Sequence, residues 1–136
     1  MNIVPMIVIS LMAGLLSTMN VWAVTPSHIR IHLNDMYMIG LMTSWMIVLD
    51  GIYNQRGNTL VVVGILGVSL FMYLIRNQVF VNDSEFMKGM IPHHSMAILM
   101  AEKIKEKSRD DKIIKLANDI IVAQNKEIEY IQKLGY

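Results

Sequence analysis

The sequence contains no cysteine, which excludes disulfide bridges, iron–sulfur clusters and thiolate zinc sites. Charged residues are scarce in the first part of the chain, where residues 1–77 carry only Arg30, Asp35, Asp50, Arg56 and Arg76. All other charged side chains belong to residues 82–136. This uneven distribution predicts a membrane domain at 1–77 and a water-facing domain at 82–136. A net charge of +1 gives no reason to expect nucleic acid as a partner.

Three long apolar runs in the first domain predict three membrane-spanning helices, at about residues 3–24, 26–53 and 59–76. A helix rises 1.5 Å per residue, so a run of about 20 residues crosses a hydrocarbon core of about 30 Å. Thr25-Pro26 is typical of a helix start and divides the first two runs. No basic residue precedes Ile3, so we expect an uncleaved first helix, with signal-peptide cleavage near Ala23 as the alternative.

The second domain has the sequence pattern of a helical hairpin. Asn82 and Glu85 have the spacing of a capping box, which predicts a first helix from there to about Lys107. A second helix is expected from Asp111 to Leu134. Its residues at three- and four-residue spacing predict one inward-facing seam: Ile113, Ala117, Ile120, Gln124, Glu127, Ile131 and Leu134. The predicted fold class is therefore all-α, with three transmembrane helices and a C-terminal antiparallel hairpin.

The pair His93-His94 is the most unusual chemical feature of the hairpin. A fold-back at the turn near residue 109 places both histidines opposite Gln124 and Glu127, the two polar residues of the predicted seam. Buried polar groups need partners, so one joint polar site is expected inside the hairpin. Pro92 should kink the first helix and aim the imidazoles, unless that helix begins only near Pro92.

Methionine adds possible metal ligands near this pair. The chain has 13 methionines, and Met90 and Met87 lie about one and two turns before the histidines. Thioether and imidazole groups suit Cu(I) or Ag(I), with Glu127 orienting a ligating imidazole rather than binding the metal. The alternatives are that the methionines fill core space and that one histidine is a core residue bonded to Glu127, because adjacent helical side chains diverge by about 100°. No nucleophile accompanies them, which disfavours an enzyme.

A second group of possible ligands lies at the start of the predicted second helix. His28, His32 and Met36 follow one another at four-residue intervals, which predicts a ladder of donors on one helical face. The alternative assigns the histidines to the membrane interface and the methionine to packing. Asp50, near the other end of this helix, is either an interfacial residue or a buried acid with a function.

One run of residues in the tail points to a known family. It reads Asp83-x-x-Phe86-Met87-x-x-Met90-Ile91-Pro92-His93-His94-x-x-Ala97-Ile98-x-Met100-Ala101, followed by Leu116-Ala117-x-x-Ile120 and Gln124-x-x-Glu127-Ile128. With these motifs, residues 82–134 resemble the domain of unknown function 305 family, and the membrane half, with His32-Leu-Asn-Asp-Met-Tyr-Met38, resembles its three-span form. The resemblance implies a ferritin-like bundle and, as in some members, copper binding outside the cytoplasm through the candidate ligands Met87, Met90, His93, His94 and Met100.

The resemblance also shapes the expected assembly and function. The hairpin supplies only half of a four-helix bundle, so we expect a homodimer, or docking of the hairpin on another protein. The leading hypothesis is a membrane-anchored protein that sequesters or transfers Cu(I) or Ag(I) in copper homeostasis, without catalysis or an organic cofactor. The rival hypothesis is a structural or assembly module in which the histidine pair is a core polar cluster. The expected location is a bacterial-type inner membrane, in contact with lipid, with the tail outside the cytoplasm.

Overall fold

The computed structural model describes residues 3–136, and in this range it contains helices and no strands. The α-helices are α1 (Ile3–Leu16), α2 (Leu33–Tyr53), α3 (Asn58–Arg76), α4 (Asp83–Lys107) and α5 (Asp111–Lys133), and short 3-10 helices cover Met19–Trp22 and Pro26–His28. For the described residues this confirms the all-α fold class. The chain forms two compact units: residues 3–18 with Leu33–Val81, and Met19–His32 with Asn82–Tyr136.

Three helical stretches are long and apolar enough to cross a membrane: Ile3–Trp22, Leu33–Tyr53 and Asn58–Arg76. The first unit buries mostly small or polar residues of α1, α2 and α3, while many of its large apolar side chains are exposed. The hydroxyl groups of Ser10, Thr43 and Ser44 each donate a hydrogen bond to the carbonyl four residues earlier. Their polar atoms are therefore satisfied within their own helices.

Glycine allows the close approach of α2 and α3. A Cβ atom on Gly64 would lie 2.6 Å from the side chain of Val48 and 2.9 Å from its backbone nitrogen. A Cβ atom on Gly40 would lie 2.3 Å from the ring of Phe71. Small residues at helix contacts allow dispersion forces to hold helices together where no water drives them to associate. The packing of this unit therefore depends on residues that lack a side chain.

Asp50 lies near the end of α2 and forms an ion pair. Its carboxylate lies 2.6 Å from Nε of Arg56 and accepts a hydrogen bond from the side-chain amide of Asn54. The Arg56 charge neutralises an acid that is almost fully buried. Asp50 is thus an acid with a largely buried side chain, and its pairing with Arg56 gives it a structural role in this part of the chain.

The first two predicted helices are shorter than expected. α1 ends at Leu16 rather than near residue 24, and α2 begins at Leu33 rather than at residue 26. Pro26 does start a helical turn, but this 3-10 turn ends at His28, and Ile29 has an extended backbone. We call the intervening segment, Met19–His32, the strap. The sequence pattern predicted that these residues lie in the membrane domain, whereas the structure groups them with the second compact unit.

Asn20 contributes a physical reason for the early end of the first helix. Its side-chain amide donates to the backbone C=O of Arg30 and accepts from the backbone N–H of the same residue, both at 2.8 Å. A side-chain amide that satisfies distant backbone groups competes with helix formation. The strap is thereby closed on itself at residues 20 and 30.

α4 and α5 pack against each other as a hairpin. Asn82 accepts a hydrogen bond from the N–H of Glu85 at 2.9 Å, and Asp110 accepts one from Lys112 at 2.8 Å, so both helices have capped N-termini. A buried cluster joins the two helices: Ile91, Ile98, Ile128 and Ile131. α4 continues through Pro92, so the alternative of a helix that begins near this proline is wrong.

The inward face of α5 differs from the predicted seam. Ala117, Ile128 and Ile131 are buried, whereas Ile113 and Leu134 are exposed. The side chain of Glu127 is 53% exposed, so the expectation of an inward carboxylate is wrong. Neighbouring side chains on a helix point about 100° apart, so Glu127 and Ile128 cannot both face inward. α5 turns Ile128 toward α4 and leaves Glu127 at the edge of the contact.

The strap packs on α4 within the second unit. Fully buried Ser95 accepts a hydrogen bond from the N–H of Val24 at 2.8 Å, and its Oγ lies 2.9 Å from Nδ1 of His28. His32 is buried, and a Cβ atom on Gly89 would lie 3.3 Å from its Nδ1. The strap therefore contacts α4 on both sides of the proline.

Candidate functional site

An open groove of about 590 Å³ lies between α4 and α5. Its lining combines thioethers, imidazoles, aromatic rings and a few polar groups: Phe86, Met87, Met90, His93, His94, Gln124, Lys126, Glu127, Tyr130 and Ile131. The fold thus brings together four of the five candidate ligands and both of the predicted supporting residues. α4 supplies the histidines and methionines, and α5 supplies the amide and the carboxylate.

The two histidines occupy different environments. His94 is buried, and its Nδ1 lies 2.8 Å from a carboxylate oxygen of Glu127. His93 is exposed. The ring centroids are 6.1 Å apart and the ring planes make an angle of 62°. Adjacent side chains on a helix diverge by about 100°, so one ring packs against α5 while the other faces the open side of the groove.

Burial determines the charge of His94. Desolvation lowers the pKa of this imidazole, and the effect outweighs that of Glu127, which raises the pKa, while His93 lowers it further. The ring is therefore neutral at neutral pH. A neutral imidazole keeps a lone pair on one of its two ring nitrogens. This is the state in which an imidazole binds a metal ion.

Met100 does not belong to this groove. It lies about two turns beyond the histidines and is exposed. It contributes instead to a second groove of about 590 Å³, lined by Met96, Ala97, Met100, Ala101, Lys103, Ile104, Lys107 and Ile120. The position inferred from the family resemblance is thus separated from the other four candidate ligands.

The predicted ladder of His28, His32 and Met36 does not form. Only Met36 lies in α2, because that helix begins at Leu33, whereas the two histidines belong to the strap. His28 contacts Ser95 and His32 lies against α4. Burial and the nearby Arg30 charge both lower the pKa of His28, so this ring is also neutral at neutral pH.

Ser95 is a residue next to the site that the sequence reasoning missed. It is fully buried directly after the histidine pair and is the shared partner of Val24 and His28 in the strap. The one signal in the sequence is a hydroxyl residue on a helix next to two imidazoles. A buried hydroxyl requires a partner, but the pattern does not reveal that the partner lies 67 residues away.

The donor set restricts the kind of metal that the groove can bind. Among residues 3–136, no group of three or more His, Asp or Glu side chains is arranged to hold a metal ion. A zinc site made of such ligands would need three or four of them. A metal centre in this groove therefore requires the thioethers of Met87 and Met90 as well as imidazole.

Comparisons with known proteins agree with the residue pattern. Residues 74–135 match the family described as Domain of unknown function (DUF305). The chain is similar to the uncharacterized protein L153 of Acanthamoeba polyphaga mimivirus, with 42% identity over 133 residues that cover 95% of this chain and 88% of that protein. No solved structure matches. The chain belongs to the domain of unknown function 305 family.

Proposed function

We propose that this protein is a membrane-anchored metal-binding protein that sequesters or transfers Cu(I) or Ag(I) in copper homeostasis. The observation that supports the proposal is the meeting of two thioethers and two imidazoles in one groove, with one imidazole held neutral beside a carboxylate. Thioether sulfur is a soft ligand that favours Cu(I), and neutral imidazole also binds copper. Hard divalent ions prefer carboxylate oxygen, of which the groove has little.

The rings of the two histidines lie near each other, with centroids 6.1 Å apart, and face different sides of the groove. Binding of one ion by both would therefore require one ring to turn toward the other. Met87 and Met90 would complete the ligand set, and Glu127 would orient the ring of His94.

The membrane anchor and the assembly are further parts of the proposal. α1, α2 and α3 would hold the protein in a bacterial-type inner membrane, with the metal groove outside the cytoplasm. A second copy would cover the second groove and complete a ferritin-like four-helix bundle. Exposed apolar residues beside this groove, Met100, Ile104 and Leu116, support such pairing.

Competition for Cu(I) against a chromophoric chelator tests the metal proposal, using the full chain in detergent. We expect one tightly bound Cu(I) per chain. Replacement of a ligand, His94→Ala or Met90→Leu, should weaken binding more than Glu127→Gln, for which about a tenfold loss is expected. Met100→Leu is the matched control and should leave the affinity unchanged. Absence of binding, or equal affinity in all variants, would contradict the proposal.

A second candidate function is that of a structural or assembly module. The contact between His94 and Glu127 joins α4 to α5 and favours this alternative without any metal. Cu(I) would then leave the thermal unfolding temperature unchanged, whereas a ligand that binds only the folded state raises it. In that case Glu127→Ala and His94→Ala should destabilise the hairpin by similar amounts.

A further inference from the structure

The end of the strap has an alternating pattern of side chains. Successive side chains of an extended chain point to opposite sides. His28, Arg30 and His32 are buried or half-buried, whereas Ile29 and Ile31 are 49% and 68% exposed. Polar residues therefore face inward and apolar residues face outward, the reverse of what is expected for a segment that covers a water-soluble domain.

Two residues of the inward polar face, His28 and Arg30, contact the hairpin. Nδ1 of His28 lies 2.9 Å from Oγ of Ser95, and the Arg30 guanidinium donates to the backbone oxygen of Tyr136 at 3.3 Å. These contacts fix which side of the strap faces the hairpin. These two contacts thus set the outward direction of the isoleucines.

The first part of the strap adds to the outward apolar face. Val21 and Trp22 are both exposed, and Trp22 retains 47% of its accessible surface. Arg30 is the only charged residue among residues 19–32. Exposed apolar side chains gain nothing from contact with water. A patch of them marks a contact with a membrane or a partner.

We propose that the outward face of the strap, formed by Val21, Trp22, Ile29 and Ile31, lies in the boundary between lipid headgroups and acyl chains. This inference rests on the proposed membrane anchoring. Ile31 is two residues before Leu33, where a 21-residue apolar helix begins, so it lies within about 8 Å along the chain from the start of that helix. Tryptophan is enriched at this depth of a bilayer.

Lipid explains the surface better than a second copy of the chain does. The strap is connected at both ends to helices that are long and apolar enough to span the bilayer. Only a few residues of chain separate the strap from these apolar helices, so it must lie close to the lipid. A second copy could cover the strap only by entering the same boundary layer of the membrane. The strap thus binds α4 through its polar face and lipid through its apolar face.

Tryptophan fluorescence of the full chain in phosphatidylcholine nanodiscs tests this inference. Trp45→Phe leaves Trp22 as the sole tryptophan, and Trp22→Phe leaves Trp45 in α2. Acyl chains brominated near the headgroup end should quench Trp22 more than chains brominated near their middle, and Trp45 should show the opposite order. The aqueous control is Val122→Trp on α5 without the native tryptophans, because Val122 is 53% exposed. Acrylamide should quench Trp22 severalfold less than this control.

The outcomes separate the strap proposal from the proposed anchoring. If Trp22 is quenched by acrylamide like the Val122→Trp control and not by bromine, while Trp45 is quenched by bromine, the strap proposal is overturned and the anchoring stands. Loss of bromine quenching at both Trp22 and Trp45 overturns the anchoring as well. If neither acrylamide nor bromine quenches Trp22, protein such as a second copy covers this residue, and the strap proposal is also overturned. Ile31→Trp without native tryptophans should repeat the result for Trp22.

Discussion

The two compact units follow opposite packing rules. The first unit places glycine, serine and threonine at its helix contacts and large apolar residues, such as Val63 and Leu66, on its surface. The second unit buries an isoleucine cluster and exposes most of its lysines and glutamates. Water favours the second arrangement through the hydrophobic effect, which cannot operate between helices surrounded by lipid chains. The contrast between the two units supports the proposed membrane anchoring of the first one.

The strap departs from both rules. By its contacts it belongs to the second unit, but its exposed isoleucines and tryptophan resemble the surface of the first. A segment with this composition is consistent with a boundary between two solvents. Substitutions in each unit and in the strap can therefore test whether the first unit depends on small residues and the second on an apolar core.

The largest effect is expected for Ile91→Ala in the second unit. Ile91 is fully buried in the hairpin core, so its loss should destabilise the hairpin by about 3 kcal/mol through lost burial and a residual cavity. Amide hydrogen exchange of α5 measures the stability of this unit separately. The matched control is Val122→Ala on the exposed face of α5, which should lower the free energy of unfolding by less than about 0.5 kcal/mol. Equal costs would contradict a core governed by burial from water.

Gly64→Ala should have the next largest effect, in the first unit. The added methyl group would meet the backbone nitrogen of Val48, so α2 and α3 must separate at a cost of about 2 kcal/mol. Thermal unfolding in detergent provides the measurement. Leu66→Ala, on the exposed face of α3, should cost less although it removes a larger apolar group. The reverse order would show that this unit packs like a water-soluble protein.

Ser95→Ala should have an intermediate effect at the strap. It leaves the N–H of Val24, which lies in a part-buried contact, without its partner, at a cost of about 1 kcal/mol. Hydrogen exchange of the Val24 amide should accelerate, while exchange in α2 stays unchanged. Ser69→Ala in α3 is the control, since that exposed hydroxyl bonds only to its own helix. Unchanged exchange at Val24 would mean that Ser95 does not hold the strap.

Acidification should have the smallest effect, confined to the second unit. The pKa of His94 is lowered from 6.5 by burial, so the unfolded chain binds a proton more readily than the folded one. The free energy of unfolding should therefore fall as the pH drops below about 6.5 towards the lowered pKa. Glu127 opposes this shift, so Glu127→Gln should make the fall steeper. Amide hydrogen exchange in α5 of the metal-free protein measures this free energy at each pH. The same pH dependence in Glu127→Gln would contradict a role of His94 in it.

The sequence predicted best what depends on local spacing. The cap at Asn82, the turn before α5 and the proximity of His94 to Glu127 all follow from short-range patterns or from one fold-back. The inward face of α5 was predicted less well. Alternating steps of three and four residues fit a seam through Glu127 or one through Ile128, and the spacing alone does not choose between them. An error of one residue was enough to exchange the positions of Glu127 and Ile128.

The strap could not have been predicted from the same patterns. Its residues continue the apolar composition of the first run, and hydropathy does not distinguish a helix from an extended segment with one apolar face. Its structure depends on partners distant in the sequence, such as Ser95 for His28. The expected ladder of His28, His32 and Met36 failed for this reason, since helical spacing has meaning only where a helix exists.

The paired hydrogen bonds between Asn20 and Arg30 have an architectural consequence. They bring the beginning and the end of the strap together, so the chain leaves α1 on an excursion and returns to α2 close to its point of departure. A loop closed in this way adds contacts with α4 of the hairpin, while the distance in space between the two ends of the strap stays short. A short flexible turn in its place should leave that helical pair intact and release the hairpin from its support.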